Sequence, residues 1–164
     1  MANELYTRTN QKMYFTGLAL DRWRQAVLDN RDPGCILAER ETSLFHLYGA
    51  LLGLCHEILG FYRSPAMELR RVEKILTRAT LEQMPCPELA ELLDMAGDPS
   101  SWLAVLLQQY GQLFQPPRPV QAENMNPPET VLADDLLRDI DELARWRQQL
   151  KALILRFRES MTEW

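Results

Sequence analysis

The chain contains two histidines, His46 and His56, and any metal or acid–base chemistry would depend on them first. His56 and Glu57 begin the helical zinc motif His-Glu-x-x-His, but Gly60 stands where the second histidine would be. The Glu-x-x-His spacing of di-iron carboxylate bundles is missing, and so is a glycine-rich phosphate loop. No cysteine lies in a context that marks it as a nucleophile. The sequence therefore predicts a protein with no metal, no cofactor and no catalytic constellation.

One pair of residues could act on a phosphate, because Arg40 precedes His46 by six positions in the predicted second helix. The run from Arg40 to His46 resembles the Arg…His element of HEPN-type ribonucleases, which are also small helical bundles. That resemblance implies that the arginine and the histidine act on the RNA phosphate and on the attacking hydroxyl. Glu41 follows the arginine, and its negative charge would oppose a phosphate. The simpler interpretation is a solvated arginine and a half-exposed histidine.

A stripe of small residues runs along the back of the same helix. At about 100° per residue, Gly49, Gly53, His56 and Gly60 lie on one face with Thr42 and His46. Each glycine inside a helix costs about 1 kcal/mol relative to alanine, so the missing side chains predict a groove. The groove could be occupied by another helix of this chain, packed through Gly17. Alternatively, it could receive a partner helix or a second copy of the chain. A third interpretation is a pocket gated by the two histidines.

A basic stripe is predicted on the third helix. Arg70, Arg71, Lys74 and Arg78 lie within about 100° of each other, away from the apolar face of that helix. Such a stripe could contact nucleic acid or an acidic protein surface. It could also be a solvated face whose positive charge is partly offset by the nearby Glu68 and Glu73. No aromatic residues interleave with it for base stacking, and the net charge of −5 also disfavours nucleic acid as a partner.

The composition predicts that helices alone position these residues. The 164 residues include 28 Leu but only 5 Val and 5 Ile, and leucine loses less rotamer freedom in a helix than β-branched residues do. Hydrophobic residues make up 46% of the chain and charged residues 25%, which excludes a mostly disordered protein. The second helix has an apolar seam of Leu37, Leu44, Leu51 and Ile58. Almost no charge interrupts this helix between Thr42 and His56, so it should be the centre of a bundle.

The apolar periodicity and the proline and glycine signals predict an antiparallel bundle of five to six helices in a single domain, 1–164. The predicted helices are Glu4–Asp29, Cys35–Tyr62, one from Ser64-Pro65 to about Met84, Pro87–Ala96, one opening at Asp98-Pro99, and Glu129–Thr162. A proline-rich linker, 115–128, precedes the long amphipathic C-terminal helix.

The chain has no sequence signal for secretion or for a membrane span. Its first twelve residues are polar. The most apolar stretch, Thr42 to Tyr62, contains two histidines, Glu57 and three glycines, so a buried helix is a better interpretation than a membrane span. Three widely spaced cysteines match no disulfide framework, so we expect a cytoplasmic protein. The segment from Leu5 to Lys12, with the glycine-rich second helix, resembles small uncharacterised helical proteins of gammaproteobacteria. That resemblance implies a bacterial origin and no activity.

These observations together predict a non-catalytic helical module for protein interaction or regulation. Its partner would be another protein or a second copy of the chain, met through a helical surface. Trp146 and Trp164, at the edge of their seam, support this prediction. The alternative is a nucleic-acid-binding or HEPN-like RNA-cleaving protein that uses Arg40, His46 and the basic stripe.

Overall fold

Seven α-helices and one 3-10 helix form the part of the chain that this computed structural model describes, residues 2–116 and 129–162. The α-helices are α1 (Ala2–Leu28), α2 (Pro33–Phe61), α3 (Val72–Ile75), α4 (Arg78–Gln83), α5 (Pro87–Gly97), α6 (Trp102–Gln112) and α7 (Glu129–Thr162), and the 3-10 helix is Pro65–Glu68. The prediction of an all-α fold with a long C-terminal helix is confirmed. Most of the predicted linker, 117–128, lies outside the described residues, as does the side chain of Trp164.

A tight turn makes α1 and α2 antiparallel neighbours. Asn30 adopts a positive φ of 52° after the end of α1, and the Arg31 N–H donates to the carbonyl of Ala26 (3.0 Å), which closes the helix terminus. The Asp32 carboxylate then accepts from the Cys35 N–H (3.0 Å), and Pro33 occupies the first helical position. A cap and a proline therefore start the central helix directly after the turn.

α2 is the central helix of the bundle, as its seam predicts. Leu44, Leu51 and Ile58 are fully buried, and α1, α6 and α7 all pack against the helix. Leu37 is wrongly placed in the seam, because it is 52% exposed near the first turns of α2. Among the described helices, α2 alone is long and apolar enough to cross a membrane, and 61% of its most apolar 18-residue window is buried inside the fold. Its packing accounts for its apolar character.

The predicted third helix is wrong as a continuous element. The chain forms the 3-10 helix, an extended connection, α3 and α4 instead, with extended backbone angles at Leu69 and Arg71. Two side chains of α2 bind backbone groups that a helix would have paired: His56 Nε2 donates to the Leu69 carbonyl (2.7 Å), and Tyr48 Oη accepts from the Val72 N–H (2.9 Å). Tertiary hydrogen bonds therefore override the helical periodicity of this segment.

The helix predicted to open at Asp98-Pro99 begins three residues later, at Trp102. Asp98 accepts from the Ser100 N–H (3.0 Å) in a turn, and Ser101 is the cap that accepts from the Ala104 N–H (3.1 Å). Asp98 therefore stabilises the turn and Ser101 caps the helix, because Asp and Ser side chains both favour hydrogen bonds to nearby backbone N–H groups.

Candidate functional site

α1 fills the predicted glycine groove from within the chain. A Cβ atom on Gly53 would lie 2.5 Å from Thr9 Oγ1, and one on Gly60 would lie 2.7 Å from Leu5 Cδ1. The missing side chains thus allow the two helices to approach closely. Of the three occupants considered, the structure places a helix of the same chain at these two glycines.

Gly17 does not take part in this contact, and its predicted role is wrong. It faces α7, where Arg147 crosses α1 and a Cβ on Gly17 would lie 3.0 Å from Arg147 Nη2. Arg147 Nε also donates to the Met13 carbonyl (3.0 Å). Gly17 therefore makes room for an arginine that ties α7 to α1.

An open cleft of about 370 Å³ remains beside the glycine face of α2. It is lined by Leu5, Arg8 and Lys12 of α1, by Gly49, Leu52, Gly53 and His56 of α2, by Met67 of the 3-10 helix, and by Arg70 of the extended connection that follows. We call it the cationic cleft, since its lining includes three arginine or lysine residues and one histidine but no acidic residue. The structure thereby brings together part of the predicted groove and the first residue of the predicted basic stripe.

Lys12 crosses the rim of the cationic cleft because Gly49 leaves space for its side chain. A Cβ on Gly49 would lie 3.0 Å from Lys12 Cδ, and Lys12 Nζ lies 4.8 Å from the centre of the Phe45 ring. Burial, with repulsion from Arg8, lowers the pKa of Lys12. A bound anion would relieve this repulsion, so the cleft is electrostatically suited to a negatively charged group.

His56 fixes one wall of the cationic cleft. Its Nε2–H donates to the Leu69 carbonyl, so the helix holds the connection that carries Arg70. Arg70 Nη1 donates in turn to the Met67 carbonyl (2.5 Å), which folds the arginine back towards the cleft. These bonds hold Arg70 beside the cleft, and they commit His56 to a structural hydrogen bond.

Arg40 and His46 contact different helices. Arg40 Nη2 donates to Gln109 Oε1 of α6 (3.1 Å), whereas the His46 ring packs edge-on against Phe15 of α1, at 5.3 Å between ring centres. The structure therefore does not join them into the phosphate-directed pair that the HEPN resemblance implies. Their six-residue spacing turns them to separate sides of α2.

We expect His46 to make stability depend on pH. Burial lowers the pKa of His46, and repulsion from Lys12 lowers it further. In the unfolded chain the histidine pKa is about 6.5. Between the two pKa values the unfolded state binds more protons, so folding stability falls as pH drops below about 6.5. Urea unfolding at pH 7.5 and 5.0 should show a smaller loss for His46→Leu than for the unmodified protein. Equal losses would contradict this assignment.

A second depression, of about 440 Å³, adjoins the cationic cleft and shares Arg70 with it. It is lined by Tyr48, Arg70, Arg71, Glu73, Tyr110, Gly111 and Phe114, and we call it the aromatic pocket. The rings of Tyr48 and Tyr110 are stacked, 3.7 Å between centres and 8° from parallel. Burial and a hydrogen bond to Glu73 raise the pKa of Tyr48, which keeps its hydroxyl protonated as a donor.

The predicted basic stripe is divided by this arrangement. Arg70 and Arg71 lie in the extended connection, whereas Lys74 is in α3 and Arg78 begins α4. Only Arg70 and Arg71 line the cleft or the pocket. The prediction of four basic residues on one helical face is therefore wrong, because no single helix carries them.

A buried ion pair links α2 to α7 next to α1. The Glu57 side chain is fully buried, and Arg158 of α7 donates to both its oxygens, with Nε–Oε1 at 2.7 Å and Nη2–Oε2 at 3.0 Å. Arg158 also donates to Asn10 Oδ1 (3.1 Å) and lies 4.5 Å from the Tyr6 ring centre. Arg158 of α7 thus contacts both α1 and α2, and its ion pair with Glu57 holds the three helices together.

The whole chain, residues 1–164, matches the model of a family described as "Family of unknown function (DUF6586)". The chain belongs to this family. No curated protein and no solved structure matches it. Membership confirms the resemblance to an uncharacterised family, while the gammaproteobacterial origin stays a prediction.

Within residues 3–116 and 134–162, no group of three His, Cys, Asp or Glu side chains could hold a metal ion. Trp146 is only 4% exposed, so it belongs to the core. The prediction that Trp146 supports an interaction surface is therefore wrong.

Arg8 and Lys12 were missed in the sequence analysis, although their four-residue spacing places both on one face of α1.

Proposed function

We propose that this protein is a non-catalytic interaction module that binds an acidic segment of another protein at the cationic cleft. The observation that carries the proposal is the convergence of Arg8, Lys12 and Arg70 around an apolar floor, with no acidic residue in the lining. This cationic site lies on a chain whose net charge is −5, so it is a local exception to the charge of the molecule. Complementary charge of this kind selects a partner and speeds its association.

The form of the cationic cleft favours a protein segment as its ligand. The arginines are exposed and come from two separate elements, and the floor includes Leu5, Leu52 and Met67. An acidic segment with apolar side chains would satisfy both features, whereas the acidic net charge opposes a polyanion as long as RNA or DNA. The proposal places the protein in the cytoplasm, where its three free cysteines would stay reduced.

A charge reversal in the cleft should weaken binding of an acidic peptide. The probe is a fluorescein-labelled peptide of six glutamates, titrated by fluorescence anisotropy at 20 and 200 mM salt. We expect salt-dependent binding that Arg8→Glu weakens roughly tenfold, equivalent to about 1.4 kcal/mol. Arg22→Glu is the matched control, since Arg22 is exposed on α1, lines neither the cleft nor the pocket, and changes the net charge equally.

Equal weakening by both variants would show that only net charge matters and would contradict the proposal. Tighter binding of a single-stranded oligonucleotide than of the peptide would assign the cleft to nucleic acid instead. Affinity capture from native cells with the unmodified protein and with Arg8→Glu then identifies the partner by mass spectrometry. Proteins lost with the variant should share acidic segments.

A further inference from the structure

The aromatic pocket shares Arg70 with the cationic cleft and offers a different kind of contact. A ligand in the cleft that extended past Arg70 would come within reach of the rings of Tyr110 and Phe114, which line the pocket with Arg70. Phe114 is 75% exposed and packs edge-on against Tyr110, at 5.4 Å between ring centres. It is the most exposed of the large hydrophobic side chains in the described part of the chain.

Contacts within the fold hold the Tyr48 and Tyr110 rings of the pocket in place. Tyr110 stacks on Tyr48, and the Tyr48 hydroxyl is fixed twice, because it donates to Glu73 Oε2 (2.7 Å) and accepts from the Val72 N–H (2.9 Å). A fixed aromatic surface loses little conformational entropy when another ring packs on it. Arg71, 68% exposed, lines the same pocket.

We infer that the acidic partner segment carries an aromatic side chain close to its acidic residues, and that this side chain binds in the aromatic pocket against Phe114 and Tyr110. The inference rests on the proposed function of the cationic cleft. Acidic residues pair with Arg8, Lys12 and Arg70, and the aromatic ring covers the exposed face of Phe114. The cleft supplies charge attraction, and the pocket supplies the sequence preference that charge alone lacks.

The test is a cycle that changes the peptide and the protein in turn. Hexaglutamate peptides with a Trp at either end are compared with the same peptides carrying Ala instead, against the unmodified protein and Phe114→Ala. We expect the better placed Trp peptide to bind about fivefold more tightly than its Ala counterpart, as a stacked aromatic contact allows. Phe114→Ala should abolish that preference and leave the affinity for the Ala peptide within about twofold.

Phe61→Ala is the matched control, because Phe61 is also exposed (42%) but lines neither the cleft nor the pocket. It should retain the preference for Trp. The inference about the aromatic side chain is contradicted if all peptides bind with no preference for Trp, or if the preference persists in Phe114→Ala. Either result leaves the proposal for the cationic cleft standing. No binding of any acidic peptide overturns both. A single-stranded oligonucleotide that binds more tightly, and depends on Phe114, would assign the pocket to nucleobases instead.

Discussion

Arg158→Met is expected to lower the free energy of unfolding by about 3–5 kcal/mol. The substitution keeps much of the side-chain volume but leaves the Glu57 carboxylate without its cation. Since the Glu57 side chain is fully buried, water cannot replace the two hydrogen bonds that Arg158 donates. The loss is measured as the change in the free energy of urea unfolding at neutral pH.

The double substitution Glu57→Leu with Arg158→Met should recover most of that loss, because replacing both charges of a buried pair with apolar groups is often neutral. Arg156→Met is the matched control on the same helix. Arg156 also pairs with a glutamate, Glu91, but the two side chains are 57% and 38% exposed. An exposed pair of this kind contributes about 0–1 kcal/mol. Similar losses for Arg156→Met and Arg158→Met would show that burial does not decide the contribution of these arginines.

The long helices could be predicted from sequence because their apolar residues recur with the helical period over many turns. The C-terminal helix has the predicted bounds, Glu129–Thr162, and α2 is the central helix. The predicted third helix failed where His56 and Tyr48 of another helix bind its backbone. Periodicity records which face of a segment is apolar, but not which backbone groups a distant side chain will bind.

Only part of the candidate site could be predicted, and the division has a physical cause. Gly49, Gly53 and His56 lie on one face of one helix, so their spacing reveals them. Arg8 and Lys12 join them only because α1 packs on that face. A single sequence does not say which helices become neighbours, since that depends on side-chain fit across the whole bundle.

The aromatic pocket shows the same limit more strongly. Tyr48 and Tyr110 stack although 62 positions separate them in the sequence. Arg70 and Arg71 line the same pocket from a segment that is extended in the structure and not helical as predicted. The sequence predicts the basic residues as a stripe on one helix, whereas Tyr48 and Tyr110 fall within two different predicted helices. Their juxtaposition is a property of the tertiary structure alone.

Gly53→Ala is expected to lower the free energy of unfolding by up to about 2 kcal/mol. The added Cβ would lie 2.5 Å from Thr9 Oγ1 and 3.2 Å from Thr9 Cα, so it meets backbone as well as side chain. Thr9 is fully buried, and its hydroxyl donates to the Leu5 carbonyl (3.2 Å), which restricts its movement. Overpacking of this kind costs about 1–3 kcal/mol, and the gain of about 1 kcal/mol in helix propensity offsets part of it.

The other glycines provide a graded comparison. An alanine at Gly60 or Gly49 would meet the flexible ends of Leu5 and Lys12, so we expect a change within about 1 kcal/mol of zero. Gly97→Ala has nothing within 4 Å and should stabilise the protein by up to about 1 kcal/mol. Adding Thr9→Ala to Gly53→Ala should cost less than the two single losses combined, because it removes the closest contact. Strict additivity, or equal effects at Gly53 and Gly97, would mean that α1 does not approach α2 through Gly53.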